Sequence, residues 1–328
     1  MERRSKRNWT FGRILRWTVF LGVILLVPVI FGGNQYHMYV ATLICVYIIA
    51  IMGLNLTLGY TGQISLGHAA FMGIGAYTVA LMTLHGHSFW LALPLGAAIA
   101  FVAGLILGLP SLRVKHHYLA LVTLGFGTVV YLLLTNEHEL TGGFSGLPGI
   151  PRPSFFGLSL HSANSFYLLV VGFLILTTII MLWILNSRWG RAFKAIREND
   201  MRAEMVGVSL LAYKLLAFAI GAAYAAVAGG LIAPLMRFID PTSFPVQESF
   251  WFLIMLIIGG SGRFEGPFIG VIAVMLLPEF LRGVQQLFFV IFAVLTLILV
   301  IFWPTGLAGL IDVFFRRVLK RNAPQLTK

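Results

Sequence analysis

Long stretches of uncharged, mostly apolar residues recur along the chain, and the charged residues collect between them. A helix needs about 20 apolar residues to cross the hydrocarbon core of a bilayer. The pattern therefore predicts about ten transmembrane or re-entrant helices, the third, eighth and ninth of them short. Approximately, they cover residues 17–33, 38–58, 69–84, 90–109, 118–135, 166–185, 211–233, 250–259, 267–281 and 287–304. The predicted fold class is an all-α polytopic integral membrane protein.

The basic residues predict how these helices are oriented. If the N-terminus is cytoplasmic and the helices alternate in direction, the cytoplasmic side receives all but three of the 23 Lys and Arg residues. The three exceptions are Arg152, Arg237 and Arg282. Cytoplasmic loops of membrane proteins carry such an excess of Lys and Arg, so we expect both termini to be cytoplasmic. The net charge of +12 is then a signal of topology and does not indicate nucleic-acid binding.

This topology divides the chain into three regions. A basic cytoplasmic N-terminus covers residues 1–16, a transmembrane domain covers 17–304, and a basic cytoplasmic tail covers 305–328. The transmembrane domain contains a long cytoplasmic loop at 186–210 and an external loop at 136–165. We expect no soluble domain.

The composition excludes a soluble protein, because 59% of the residues are hydrophobic and only 10% are charged. Within the predicted helices only Lys214 and Glu279 carry charge, and both lie near a helix end. Carriers that couple transport to an ion gradient usually need carboxylates inside the membrane, so this class is disfavoured. The HExxH and GxSxG motifs are missing, and no Lys follows a Gly, which excludes a Walker A loop. We therefore expect no catalytic residue, no metal site and no cofactor bound by this chain.

Glycines concentrate in two stretches, residues 59–75 and 259–270. Glycine in a membrane helix permits either a break in the helix or close packing against a neighbour, and both interpretations stand here. The glycines assigned to such breaks or packing are Gly59, Gly62, Gly67, Gly262, Gly266 and Gly270. Broken helices often border the substrate pathway of a transporter. We expect the polar residues near the first stretch to line that pathway, namely Asn55, Gln63, Ser65 and His68.

The cytoplasmic loop is unusually rich in charged residues for this chain. Apolar residues recur between its charges with roughly helical spacing, at Ala192, Phe193, Ala195 and Ile196 and then at Ala203, Met205 and Val206. Gly207 is placed to end the second of two short amphipathic helices. Such helices can lie on lipid headgroups or can dock a soluble partner in a groove.

Four stretches of this sequence resemble one family, the permease subunits of branched-chain amino acid (leucine, isoleucine, valine) ABC importers. They are residues 54–77 (LNLTLGYTGQISLGHAAFMGIGAY), 141–147 (TGGFSGL), 190–199 (GRAFKAIREN) and 258–270 (IGGSGRFEGPFIG). The first and third are the most specific.

The resemblance implies a multi-subunit importer in a bacterial or archaeal cytoplasmic (inner) membrane. Its other parts would be a second related permease, two cytoplasmic ATPase subunits that bind the ATP, and a periplasmic or lipid-anchored solute-binding protein. The loop at 186–210 is similar to the coupling loop of ABC importers. Its docking residues would be Gly190, Arg191, Ala195, Ile196, Arg197, Glu198, Asn199, Ala203, Glu204 and Gly207. We expect Gly207→Glu to uncouple transport while the protein still inserts.

Two other functions remain open. Related permeases serve urea and short amides, and the predicted helices do not distinguish those solutes from leucine. A secondary carrier that works alone on an ion gradient is the second alternative, although the scarcity of acidic residues in the predicted helices disfavours it.

Overall fold

The computed structural model describes residues 28, 34–111, 116–155, 158–159, 162–280, 293–294, 296–297 and 306–310. The predicted helices at 17–33 and 287–304 and both basic termini lie outside these residues, apart from isolated positions. The same holds for Arg282 and for the side chain of Glu279.

Helices dominate the described part of the chain. They are α1 (Gln35–Leu54), α2 (His68–Leu84), α3 (Phe89–Ser111), α4 (His116–Asn136), α5 (His138–Thr141), α6 (Ala163–Asn186), α7 (Arg188–Glu198), α8 (Asp200–Met205), α9 (Leu210–Met236), α10 (Val246–Gly259) and α11 (Gly266–Phe280). A π-helical turn, Asn55–Gly59, continues α1, and 3-10 turns cover Gly143–Ser145 and Pro241–Ser243. Four two-residue strands form two antiparallel pairs. In these, β1 (Leu147–Pro148) pairs with β4 (Phe238–Ile239), and β2 (Ser154–Phe155) pairs with β3 (Leu158–Ser159).

Six described segments are long and apolar enough to cross a membrane: Gln35–Gly59, Phe89–Leu109, Tyr118–Asn136, Ala163–Asn186, Leu210–Met236 and Pro241–Gly259. Two shorter apolar helices, His68–Leu84 and Gly266–Pro278, accompany them. Each of the eight helices predicted between residues 38 and 281 coincides with one of these segments, which establishes a polytopic helical membrane protein.

One predicted boundary is wrong. The eighth helix was expected to start at residue 250, but α10 begins at Val246 and so includes Glu248 in its first turn. The expectation that only Lys214 and Glu279 carry charge within the helices is therefore also wrong. An acidic side chain in a first helical turn is favoured by the helix dipole, which is why the helix extends past the apolar run.

Helix α9 lies at the centre of the bundle, packed against α1, α2 and α3. It is rich in Ala and Gly, so neighbouring backbones come close to it. A Cβ atom added to Gly75 of α2 would overlap the backbone of Ala226, and one added to Gly229 would overlap the carbonyl of Met72. These contacts between backbones fix the position of α2 against α9.

The ends of the helices lie at two opposite ends of the bundle. Helix α6 runs into α7, and α8 leads into α9, so one end of the bundle carries the pair α7–α8. The start of α1, the start of α6 and the end of α9 meet at the opposite end, where a cavity joins Gln35, Asn164 and Arg237. We call these the α7–α8 end and the cavity end.

Two helices begin halfway through the bundle. Nε2 of His68, the first residue of α2, lies 2.8 Å from the carbonyl oxygen of Ala50, well inside α1. The amide of Ala69 donates to Oγ of Ser249 in the first turn of α10, at 3.0 Å. Non-helical backbone at such a depth has to be shielded from lipid by protein or line a cavity. The segments 62–67 and 237–245 thus both re-enter the bundle, from opposite ends, and the helices that follow them meet near its middle.

Candidate coupling site and translocation path

Helix α7 packs against the other helices of the bundle through one apolar face. The side chain of Ser187 caps its first turn by accepting from the amide of Trp189, at 3.1 Å. Ala192, Phe193 and Ile196 recur three or four residues apart and are buried against the bundle. Asn199 then caps α8 by accepting from the amide of Arg202, at 3.0 Å. The two amphipathic helices expected from the sequence are present, with capping residues that explain the short break between them.

The tip of this helix pair exposes apolar side chains. Met201, Met205 and Val206 are 70%, 81% and 78% exposed, and the last two are among the apolar residues that predicted an amphipathic helix here. Gly207 follows with φ of +84°, a conformation that favours glycine and turns the chain toward α9. We call Met201, Met205 and Val206 the apolar tip. Exposed flexible Met side chains are typical of surfaces that bind another protein.

An ion pair holds α8 to the start of α9. Nζ of Lys214 lies 2.6 Å from Oδ2 of Asp200, and Lys214 is buried. The sequence placed Lys214 at a helix end, where its head can reach the interface. The structure gives it an acidic partner on α8, so the α7–α8 pair is anchored on both sides.

Arg197 connects α7 to the end of α1. Its guanidinium donates to the carbonyl oxygens of Leu58 and Gly59, at the end of the π-helical turn. The Leu58 carbonyl also accepts from the amide of Gly62, and a cation near the last carbonyls of a helix is favoured by the helix dipole. Arg197 therefore joins α7 directly to the point where α1 breaks.

Asn55 joins the same break to the second glycine-rich stretch. Its Nδ2 donates to the carbonyl oxygen of Arg263 at 2.8 Å, and its Oδ1 accepts from the amide of Gly262 at 2.9 Å. Since Gly59 also contacts Gly262, the two glycine-rich stretches meet at one place. The arrangement links α7, α1 and the turn before α11.

The structure places all four predicted pathway residues inside the fold near the first break. Asn55, Gln63, Ser65 and His68 are each buried. Gln63 donates to Oγ1 of Thr61 at 2.7 Å and to the carbonyl oxygen of Lys214 at 3.1 Å. Oε1 of Gln63 and Oγ of Ser65 have no hydrogen-bond partner among the described residues. A role for these residues in the pathway stays a prediction.

The six predicted glycines fall at close contacts or turns. A Cβ on Gly67 would lie 2.6 Å from the carbonyl oxygen of Thr123. A Cβ on Gly270 would overlap the backbone of α10, and one on Gly266 would overlap the backbone of the turn that follows α10. Gly62 has φ of +73° and open space around it. Helix α11 begins at Gly266, so Gly262 lies in the turn before that helix and outside its packing stripe.

The predicted docking residues form both faces of α7 and α8. Gly190 packs against the backbone of Leu185, and Ile196 and Ala203 are buried. Ala195 and Asn199 are half-buried. The exposed members are Arg191, Arg197, Glu198, Glu204 and Gly207.

The cavity end holds a pocket of about 560 Å³. Arg152 and Arg237 contribute to its wall together with Gln35, Tyr39 and Asn164. The Arg152 guanidinium lies 5.6 Å from the ring centre of Phe166. Burial, and then the positive charge of Arg237, lower the pKa of Arg152 below its ordinary value. Two cations at one mouth attract anions such as a carboxylate.

Glu248 is a candidate that sequence reasoning missed. Its Oε1 accepts a hydrogen bond from Oη of Tyr47, at 3.0 Å, across the α1–α10 contact. The signal that points to it is an acidic residue three positions after Pro245, directly before an apolar run, as at the start of a helix. No group of three or more His, Cys, Asp and Glu residues able to hold a metal ion occurs in the described part of the chain.

The bonds of Asn55 lead to a first prediction. Asn55→Ala leaves the Gly262 amide and the Arg263 carbonyl without their partner, and each buried unpaired group costs about 1–3 kcal/mol. We expect a clear drop in the melting temperature of the purified protein, measured by the fluorescence of its Trp residues. Asn136→Ala is the control, because Asn136 is exposed at the end of α4 and bonds only to Leu132 of its own helix among the described residues. Equal melting temperatures for the two variants would contradict a bracing role for Asn55.

Comparison with known proteins identifies the family. Residues 36–302 match the family described as "Branched-chain amino acid transport system / permease component". The chain is 34% identical to the high-affinity branched-chain amino acid transport system permease protein LivM of Escherichia coli (strain K12), over 90% of this chain and 76% of that protein. It is 33% identical to the LivM protein of Salmonella typhimurium, with the same coverage.

A second kind of relative carries a different name. The permease protein LivH of the same Escherichia coli transport system is 28% identical, over 82% of this chain and 92% of that protein. No solved structure is significantly similar to the chain. The match to the family covers every described helix from α1 to α11, including the α7–α8 pair and both glycine-rich stretches. The chain therefore belongs to the family of branched-chain amino acid transport system permease components.

Proposed function

We propose that this chain is the permease subunit of an ABC importer that translocates leucine, isoleucine and valine across a bacterial or archaeal cytoplasmic membrane. Family membership over residues 36–302 is the observation that carries this function. The names of relatives at 33% and 34% identity specify the substrate class. The chain is a transporter subunit and does not act as an enzyme.

The proposed topology has about ten helices and two cytoplasmic termini. The α7–α8 end then faces the cytoplasm and the cavity end faces outward. Residues 1–16 and 305–328 flank a permease domain at 17–304, with the coupling loop at 186–210 and the external loop at 136–165. The support comes from the basic residues, of which Arg152 and Arg237 alone in the described part of the chain lie at the cavity end.

The α7–α8 pair is proposed as the docking site for a cytoplasmic ATPase subunit. ATP is bound and hydrolysed by two such subunits, and this chain binds no cofactor. The apolar tip supplies the surface that enters a groove of the partner. Arg197 supplies the link from that surface to the break in α1. Nucleotide-driven motion of the ATPase thus reaches the point where the two glycine-rich stretches meet.

Two further partners complete the proposed assembly. A second, related permease would pair with this chain, as the two differently named permease relatives of one transport system suggest. A solute-binding protein would deliver the amino acid at the cavity end. There the positive charges of Arg152 and Arg237 suit the substrate carboxylate. Asn55, Gln63, Ser65 and His68 are proposed to border the path farther in.

Uptake measurements test this function. We expect cells that contain the complete importer to accumulate labelled leucine, and expect this uptake to disappear when the chain is deleted or ATP is depleted. Collapse of the proton gradient at constant ATP should leave it intact. If deletion of the chain abolished only the uptake of labelled urea, the importer architecture would stand and the substrate would be urea. Uptake that follows the gradient and survives ATP depletion would contradict the docking assignment.

A further inference from the structure

Glu248 lies at the middle of the bundle. Its partner Tyr47 is at the midpoint of the Gln35–Gly59 segment, which has 25 residues. At 1.5 Å per helical residue, Tyr47 is about 18 Å from Gln35, or roughly half of a 30 Å hydrocarbon core. The carboxylate is therefore far from both membrane surfaces.

No other acidic residue occurs in the described segments that are apolar enough to enter the membrane. The described residues form an ion pair between Lys214 and Asp200. Glu248 has no basic partner among the described residues. A carboxylate inside a membrane is costly unless a cation or several hydrogen bonds compensate it. An ionised carboxylate accepts about four hydrogen bonds, and Tyr47 provides one.

The fold holds Glu248 in a fixed position. The adjacent Ser249 is buried and accepts from the amide of Ala69, which locks the first turn of α10 to the first turn of α2. The ring of Phe252 packs 5.5 Å from that of Tyr47 and 6.2 Å from that of His68. Two re-entrant segments thus converge on this carboxylate, an arrangement that marks substrate sites in membrane transporters.

The carboxylate is also accessible. Glu248 and Tyr47 are half-buried, and the adjacent Gln247 is exposed. Trp251, three residues further on, is half-buried on the same side of α10. A solute that passes along it meets one anionic group among aromatic and aliphatic side chains.

We propose that Glu248 binds the ammonium group of the amino-acid substrate at the middle of the translocation path. The inference rests on the proposed function and specifies how the path recognises its solute. An ammonium group donates three hydrogen bonds and provides the positively charged partner that Glu248 does not have among the described residues. The phenol of Tyr47 orients the carboxylate, and the aromatic rings of Tyr47 and Trp251 on the same side offer an apolar surface to the aliphatic side chain. A metal ion fits less well, since it needs several oxygen ligands and Glu248 supplies one carboxylate.

The test uses the complete importer in proteoliposomes, with an excess of leucine-loaded binding protein outside and ATP supplied to the ATPase subunits. Glu248→Gln keeps an oxygen that accepts from Tyr47 and removes the charge. We expect the number of labelled leucine molecules transported per ATP hydrolysed to fall about tenfold or more, the effect of losing a charge-assisted hydrogen bond. Glu248→Asp, which keeps the charge on a shorter side chain, should restore part of the loss.

Two controls separate this role from a structural one. Tyr47→Phe removes the hydrogen bond and keeps the carboxylate, so we expect a much smaller loss than with Glu248→Gln. Glu137→Gln removes an exposed charge after α4 and should leave transport unchanged. Wild-type transport by Glu248→Gln, or an equal loss in Tyr47→Phe, would overturn the inference. A wild-type complex that transports no leucine would instead overturn the proposed function.

Discussion

Gly229→Val is expected to abolish the folded permease. A Cβ atom at position 229 would overlap the carbonyl group of Met72, and it would lie 3.1 Å from the amide of Ala76. Both obstacles are backbone of α2, which cannot rotate away as a side chain could. The cost should exceed the roughly 1–3 kcal/mol of ordinary overpacking. Size-exclusion chromatography of the detergent-solubilised protein should show loss of the monodisperse peak.

Gly172→Val is the matched control for this substitution. Gly172 lies on the exposed face of α6, where an added Cβ meets nothing within 4 Å among the described residues. Surface substitutions of this kind change stability by about 0.5 kcal/mol or less. We expect the same elution profile as for the unmodified protein. A normal profile for Gly229→Val would show that α9 and α2 are not in backbone contact.

Arg197→Ala is expected to disconnect ATP hydrolysis from transport. The substitution removes the donor to the carbonyl oxygens of Leu58 and Gly59 and leaves the apolar tip unchanged. The other nine predicted docking residues also remain, so ATPase subunits should still bind and hydrolyse ATP. We expect ATP-dependent leucine uptake to fall roughly 100-fold, toward the upper limit of coupling free energies of 1–3 kcal/mol. Parallel measurements of leucine uptake and phosphate release in proteoliposomes give both quantities.

Lys194→Ala tests whether any cation on α7 would have the same effect. Lys194 is exposed one turn before Arg197 and is not among the predicted docking residues. We expect its removal to leave uptake within about twofold of wild type, because exposed charges contribute little individually. If both variants lost uptake equally, general surface charge would explain the effect. The link to α1 would then be irrelevant to coupling.

The helical architecture was predictable because membrane solvation imposes a strong pattern. Eight apolar runs coincide with helices, and Gly207 occupies the predicted turn after α8. A helix in lipid needs little beyond length and hydrophobicity to be recognised. The alternation of apolar and charged residues in 188–206 likewise predicted the α7–α8 pair, because one face packs on the bundle.

The tertiary contacts of the site were not predictable in the same way. Tyr47 and Glu248 are 201 positions apart, and no local periodicity reports such a pairing. Glu248 was missed because the predicted helix began after it, since a charge normally interrupts an apolar run. The helix dipole that favours this acidic residue acts only once the helix exists. Met205 and Val206 have the hydrophobicity of packed residues, and the sequence does not tell whether their partner is the bundle or another protein.

The packing of α9 also restricts how the protein can move during transport. Its contacts with α1, α2 and α3 involve backbone atoms at Gly53–Gly221, Gly75–Ala226, Gly229–Met72 and Gly104–Ala219. Such an interface contains no rotamers that could absorb sliding, and a shift along the helix axis would drive Cβ atoms into carbonyl groups. These four helices consequently form a rigid body. We therefore expect the hinges of alternating access to lie outside it, in the non-helical segments at 62–67 and 260–265.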